Sequence, residues 1–331
     1  MTIGITGGNG FIGNHLLRSA IARGHRPVVF LQRGTSRVPI ADLAGQFDAV
    51  EGDLLDLGSV DRFLSRCTRV FHLAGFNRYW SADPATFERV NHEAVRIVAE
   101  KCLSHRIERL VHVSSCITLG ASETPEPRNE QSGFNLGHIP FAYARTKKAG
   151  EEVIRAFAKE KGLPAVIINP ASAIGERDHG PTPIGKPIWD IAKGKWPVYV
   201  AGGACFIDVH DVVRGLWLAM ERGKPGEQYL LAGENLTNRE FMSRVAACAG
   251  VSQPKLRVPL PVLKAVGAAA EWMADRVTRK EPVLTRGMTA LIGKYLYFDG
   301  WKAREELGFE AGPCAPAIQR SVEWFRAQRA T

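Results

Sequence analysis

The run Thr6-Gly7-Gly8-Asn9-Gly10-Phe11-Ile12-Gly13 constrains this chain more than any other stretch. It follows a short run rich in β-branched residues, Thr2–Thr6, and opens a helical pattern over Phe11–Arg23. Glycine at 7, 10 and 13 then serves three ends: a tight turn at Gly7, close approach of the backbone to a bound group at Gly10, and close helix–strand packing at Gly13. The helix start aims free N–H groups and the positive end of its dipole at the same point, which suits a pyrophosphate. With strand, turn and helix in this order, Asn9, Phe11 and Ile12 join the three glycines as candidate dinucleotide-binding residues.

The following residues keep up the alternation. Strands are expected at Pro27–Leu31, Phe47–Glu51, Val70–Leu73, Leu110–Val113 and Ala165–Ile168, with helices near Ser59–Ser65 and over Pro84–Leu103 and Phe141–Lys161. This predicts an α/β fold, a Rossmann-type doubly wound parallel sheet. After Asn169 a Gly- and Pro-rich loop gives way to stretches that read as helix: Ile184–Lys193, Asp211–Glu221, Arg239–Ala249, Val258–Val277 and Pro316–Arg326, with a strand at Gln228–Leu231. We expect an NAD(P)-binding domain over residues 1–175. A smaller, mostly helical C-terminal substrate lobe is expected over 176–331, interleaved with the last strands and helices of the first.

The second expected strand is followed by Gln32-Arg33-Gly34-Thr35-Ser36-Arg37. An acidic residue at such a strand end would hold the ribose hydroxyls of NAD. None is present, and Arg33 and Arg37, helped by Ser36, suit a 2′-phosphate in charge and geometry. NADP(H) is therefore the preferred cofactor on this reading, with NAD(H) as the alternative.

Three residues carry the expected chemistry. Ser115 closes the strand Leu110–Val113, at a carboxyl end where such sheets bind ligands. Tyr143 and Lys147 lie four residues apart and share a helix face. A phenol is a poor acid–base group at neutral pH, and a neighbouring ammonium is expected to lower its pKa. Tyr143 then exchanges a proton with a carbonyl oxygen, Ser115 holds that oxygen, and Lys147 also binds the cofactor ribose. Phe76, Tyr79 and Trp80 form either an apolar substrate wall or part of the packing core.

Composition excludes several alternatives. The net charge of +9 is dispersed, without a basic block, so nucleic acid binding is not expected. Six cysteines form no C-x-x-C pair and nine histidines no H-E-x-x-H, so no metal is assigned. No apolar run is long enough to span a bilayer. Val258–Val277, interrupted by Lys264, Glu271 and Asp275, reads as an amphipathic helix packed on the body, with a membrane-surface helix as the alternative. The N-terminus has no charged segment leading into an apolar one, so a cytoplasmic location is expected.

Further motifs lie at Gly52-Asp53-Leu54, His72-Leu73-Ala74-Gly75, Asn91, Ser114-Ser115, Asn169-Pro170-Ala171-Ser172-Ala173-Ile174-Gly175 and Phe206-Ile207-Asp208-Val209-His210-Asp211-Val212. With the glycine turn and Tyr143…Lys147 they resemble the extended short-chain dehydrogenase/reductase family, the NAD-dependent epimerase/dehydratase superfamily. Within it the chain is most similar to the dihydroflavonol-4-reductase-like branch, which includes proteins labelled hopanoid-associated sugar epimerases. The resemblance implies that Asp53 contacts the adenine amine and Leu54 lies beside the ring. It also implies that Ala74 and Gly75 line the adenosine side, that Pro170 and Ala173 flank the nicotinamide, and that Asn91 bridges backbone. It implies a homodimer through the helices Pro84–Leu103 and Phe141–Lys161. The expected reaction is NADPH-dependent reduction of a ketone or aldehyde to an alcohol, or the reverse. The alternative is an NAD(P)-dependent nucleotide-sugar epimerase or dehydratase. Cys116-Ile117-Thr118 stands where dehydratases often carry acids, which disfavours dehydration.

Overall fold

Ile3 and Ile5 turn to one face of their strand and Gly4 to the other, and this alternation sets how the centre of the molecule is built. In the computed structural model, which describes residues 2–194 and 198–328, the strand Ile3–Thr6 (β1) is wholly buried. It pairs in parallel with Val28–Gln32 (β2) on one side. Beyond β2 lies Asp48–Gly52 (β3). On its other side are Arg69–His72 (β4), Arg109–Val113 (β5), Ala165–Pro170 (β6) and, at the edge, the strand Gln228–Leu231. All seven strands run parallel, so their sequences read as nearly continuous apolar runs and both faces are covered.

Alternate residues feed two cores. Ile3, Ile5, Phe71, Val111 and Ile168 pack beneath the helix Phe11–Ala22 (α1) and the helix Val209–Arg222, through Leu16, Leu17, Leu216 and Trp217. Val28, Phe30, Val70, Leu110 and Ile167 pack beneath Leu57–Leu64, Ala94–Ser104 and Ala142–Lys161, through Phe63, Val98 and Ile154. Strand order reverses between β1 and β4, which opens a crevice at their carboxyl ends.

The expected helix Pro84–Leu103 forms with one widened turn, Arg89–Glu93, between Ala85–Glu88 and Ala94–Ser104. Asn91 sits in that turn, where its side chain is drawn to the backbone of Phe76. The facing helix carries Gly150, where a Cβ would collide with the Asn91 carbonyl oxygen.

Beyond residue 175 the helices Gly185–Ala192, Asn238–Cys248 and Ala315–Ala327 surround a second core that includes Ile188, Val245 and Ile318. This lobe also holds a small sheet that periodicity did not announce. Gly203–Asp208 pairs antiparallel with Glu234–Thr237, and in parallel with Ser172–Ile174 and Tyr295–Leu296. Two of its strands are only two or three residues long, too short to show a period. The expected Val258–Val277 helix is Leu260–Met273, followed by a widened turn, Ala274–Thr278. Among the described residues no helix is long and apolar enough to cross a membrane.

Candidate active site

The glycine turn takes the form its spacing requires. Gly7 has φ +71°, in the left-handed region. A Cβ at Gly13 would collide with the carbonyl oxygen of Gly7, so α1 crosses the turn at a distance only glycine allows. Thr6 Oγ accepts the Ala74 N–H at 3.1 Å and bonds His72 Nδ1 at 2.7 Å, joining the ends of β1 and β4. Among the described residues no side chain caps the N-terminus of α1 and no acid lies in its first turn. The turn thus offers N–H groups and positive dipole to an anion, and its geometry fits a dinucleotide pyrophosphate.

Lys147 Nζ donates to the Val113 carbonyl at 2.9 Å, fastening the helix Ala142–Lys161 to the end of β5. Ser115, two residues on, is extended and starts the short helix Cys116–Leu119. Tyr143 and Lys147 are both buried in one cavity wall. Burial pushes the Tyr143 phenol up to about 12, and the Ser115 side chain opposes that shift. This corrects the expected lowering by Lys147, because loss of water around the phenolate outweighs the stabilisation it receives. Burial also draws Lys147 down to about 8, with the Glu151 carboxylate opposing. The pair therefore presents a protonated phenol and an ammonium that loses its proton near pH 8.

Behind the pair lies a buried polar network. Glu151 is fully buried one helical turn beyond Lys147. It accepts from Thr118 Oγ at 2.6 Å and from the Asn169 amide. Asn169 also donates to the Ser115 carbonyl at 2.9 Å, and Gln228 donates to Asn169 Oδ1 at 2.6 Å. The segment that presents Ser115 is thus braced from β6 and from the edge strand. Reasoning from sequence missed Glu151 in this role. Its signal was an acid four residues after Lys147, on the face of Tyr143 and Lys147.

A cavity of about 610 Å³ opens at the crevice. It brings together Gly7, Gly10, Phe11, Ile12, Gly13, Gly75, Phe76, Tyr79, Ser115, Tyr143, Lys147, Pro170 and Ala173. Its far wall comes from Phe206 and from residues not singled out in the sequence, notably Phe141, Phe241, Met242, Met288 and Leu291. Tyr79 packs edge-on to Phe141, with ring centroids 5.0 Å apart, and tilted against Tyr143 at 5.8 Å.

Other candidate residues lie outside this lining. Trp80 turns away and donates through Nε1 to Asp275 at 2.8 Å. Asn9 donates to Thr35 Oγ at 3.1 Å and to the Ser36 carbonyl at 3.0 Å, tying the turn to the loop after β2. Arg37 pairs with Glu51, both exposed, whereas the exposed Arg33 side chain has no partner among the described residues. Asp53 accepts from Gln32 Nε2 at 3.1 Å, Leu54 is buried in the core under β2, and Ala74 packs against that same core. Asn91 bridges the two backbone groups of Phe76 and donates to Thr146.

The fold is that of a nicotinamide-dinucleotide-binding protein, and its crevice brings Ser115, Tyr143 and Lys147 into one cavity with the glycine turn. The chain belongs to the NAD dependent epimerase/dehydratase family, whose profile matches residues 3–232, and so to the extended short-chain dehydrogenases/reductases. It is 30% identical to a dihydroflavonol 4-reductase-like protein of Synechocystis sp., over 97% of this chain and 94% of that one. It is 28% identical to the sterol demethylase protein B of Methylococcus capsulatus, over 98% of each. The crystal structure of gox2253 superposes with a TM-score of 0.87 at 33% identity, covering 99% of this chain and 98% of that one.

Proposed function

We propose that this chain is an NADPH-dependent oxidoreductase that reduces an apolar ketone or aldehyde, or oxidises the matching alcohol, with Tyr143 as general acid/base. The observation that carries the reading is the state of the cavity's cations. Among the described residues, apart from Lys147, they are Arg78 and Lys294. Arg78 pairs with Glu281 at 3.6 Å, and Lys294 pairs with Glu123. A nucleotide sugar brings a diphosphate that calls for several cations, and the described lining offers only these two besides Lys147. The aromatic and aliphatic wall instead favours a carbonyl on a hydrophobic frame.

Gly7, Gly10, Phe11, Ile12 and Gly13 would hold the pyrophosphate, Lys147 the ribose, and Pro170 and Ala173 the nicotinamide. The ring, when bound, gives up a hydride in reduction and takes one in oxidation. In reduction Tyr143, protonated at neutral pH, donates its proton to the carbonyl oxygen. Ser115 holds that oxygen by a hydrogen bond, and Lys147 keeps positive charge beside the phenolate that results. The Arg33 guanidinium supports the preference for a 2′-phosphate. The Arg37–Glu51 pair is exposed and worth at most about 1 kcal/mol, so a phosphate can displace it.

The test is a cofactor-consumption screen over ketones, aldehydes and nucleotide sugars. Net oxidation of NADPH by an apolar carbonyl compound is expected. Conversion of a nucleotide sugar without net cofactor consumption would replace this reading with an epimerase. Equal kcat/KM for NADH would overturn the cofactor preference.

A further inference from the structure

The helix Leu260–Met273 inverts the usual rule for a surface helix. Val262, Ala265, Val266, Ala269, Trp272 and Met273 recur at spacings of three and four, and all are exposed, Trp272 to 61%. Its only fully buried residue is Gly267, where a Cβ would meet Thr289 Cγ2 at 2.7 Å. The helix packs inward through Leu263, Gly267 and Ala270, against the helix Arg286–Leu291, and turns an apolar stripe outward. Leu256, Val277 and Val283, nearby in sequence, are also more than 60% exposed. Water does not favour so large a grouping of apolar side chains unless something covers it in use.

Charge indicates what covers it. Lys255, Arg257, Lys264, Arg276, Arg279 and Lys280 are exposed, and none has an ion-pair or hydrogen-bond partner for its side chain among the described residues. By helical spacing Arg276 falls within the stripe. An apolar helix face among unpaired cations is complementary to a bilayer with anionic headgroups: the apolar side chains enter the acyl boundary and the cations stay at headgroup level.

The same unit reaches the active site. Met288 and Leu291, on the helix that seats the exposed one, line the cavity, and a Cβ at Gly287 would meet Phe141 Cδ2 at 2.9 Å. The loop bearing Phe76 and Tyr79 is tied to this unit through Trp80–Asp275 and Arg78–Glu281.

We propose that the face Leu256–Val283 docks on an anionic membrane surface and that the cavity takes a lipophilic carbonyl substrate from it. The substrate part rests on the oxidoreductase reading; the docking part does not. The test is co-sedimentation of the full chain with vesicles of phosphatidylcholine alone, or mixed with phosphatidylglycerol, alongside NADPH oxidation with a water-soluble short ketone. Binding is expected to the mixed vesicles, weakening as salt is raised. The double variant Val266→Glu/Trp272→Glu should bind roughly a hundredfold more weakly. The triple variant Arg276→Gln/Arg279→Gln/Lys280→Gln should lose affinity to a similar degree for the mixed vesicles only. Both should keep wild-type turnover of the soluble ketone, which also shows that they fold. No binding by the wild-type chain, or equal binding by the variants, would overturn the docking. So would velocity sedimentation in which the double variant breaks a wild-type dimer, because the face would then belong to a second copy. Vesicle binding with no carbonyl turnover would remove the oxidoreductase reading and leave the docking in place.

Discussion

Tyr143 holds its proton because water is absent around it, and Lys147 holds its own less tightly for the same reason. In reduction the phenol must donate, so Tyr143→Phe should lower kcat by about 10²–10⁴-fold. Equilibrium NADPH binding should be nearly unchanged, since the ring stays and only the hydroxyl goes; a variant with near-normal kcat would remove Tyr143 from the chemistry. The pH profile follows from Lys147. Its pKa is lowered to about 8, so the cation that supports the developing phenolate is present below that pH and lost above it. kcat/KM for reduction should therefore be level through neutrality and fall as pH rises past about 8. Oxidation needs the phenolate and should rise over the same range. That Ser115, Tyr143 and Lys147 meet in one cavity was legible, because each stands at a telling position on a strand end or helix face. Glu151 and Asn169 were not, because their roles arise only when residues 118, 151, 169 and 228 are brought together.

Among the elements, the glycine turn and the braced segment after β5 make separable predictions. Gly13→Ala places a methyl against the Gly7 carbonyl, so α1 must shift away from the turn. Dinucleotide affinity, read by isothermal titration, should fall by more than about tenfold, the equivalent of ~1.4 kcal/mol. Glu151→Ala leaves Thr118, Asn169 and Gln228 without their shared buried acceptor. Each keeps a second partner, in Ser115 or Asn169, so urea unfolding should show a loss of about 1–3 kcal/mol rather than a multiple of it. An unchanged midpoint would mean that the network is not stabilising. The elements of the parallel sheet were readable within a residue or two, because buried strands are apolar throughout. The small sheet around Gly203–Asp208 was not, since two of its strands are only two or three residues long and its partners come from segments as distant as Tyr295–Leu296.

For the whole molecule, buried histidines set an acid limit. His72 is drawn down to about 3 and His15 to about 4, mainly by burial, and His112 falls well below its ordinary range. In the unfolded chain they titrate near 6.5. Between these values the unfolded state binds protons that the native state refuses, so stability is lost as pH falls from about 6.5 toward 4. His210 works in the opposite sense: Glu176 raises its pKa, giving stability that is present below 6.5 and lost as pH rises through the raised value. Asp178, raised to about 6 by burial, also favours the native state as pH falls. These two groups oppose three buried rings, so the melting temperature should fall on acidification from pH 7 to 5. A melting temperature that rises over that interval would mean the buried rings are charged in the native state.

The central claim concerns what the cavity does with a carbonyl group. Its most direct test is to follow NADPH absorbance with the wild-type chain and Tyr143→Phe on an apolar ketone, while quantifying the alcohol formed. The account expects one alcohol per NADPH consumed by the wild type and almost none by the variant. Equal rates for the two, or consumption of NADPH without any alcohol, would contradict it.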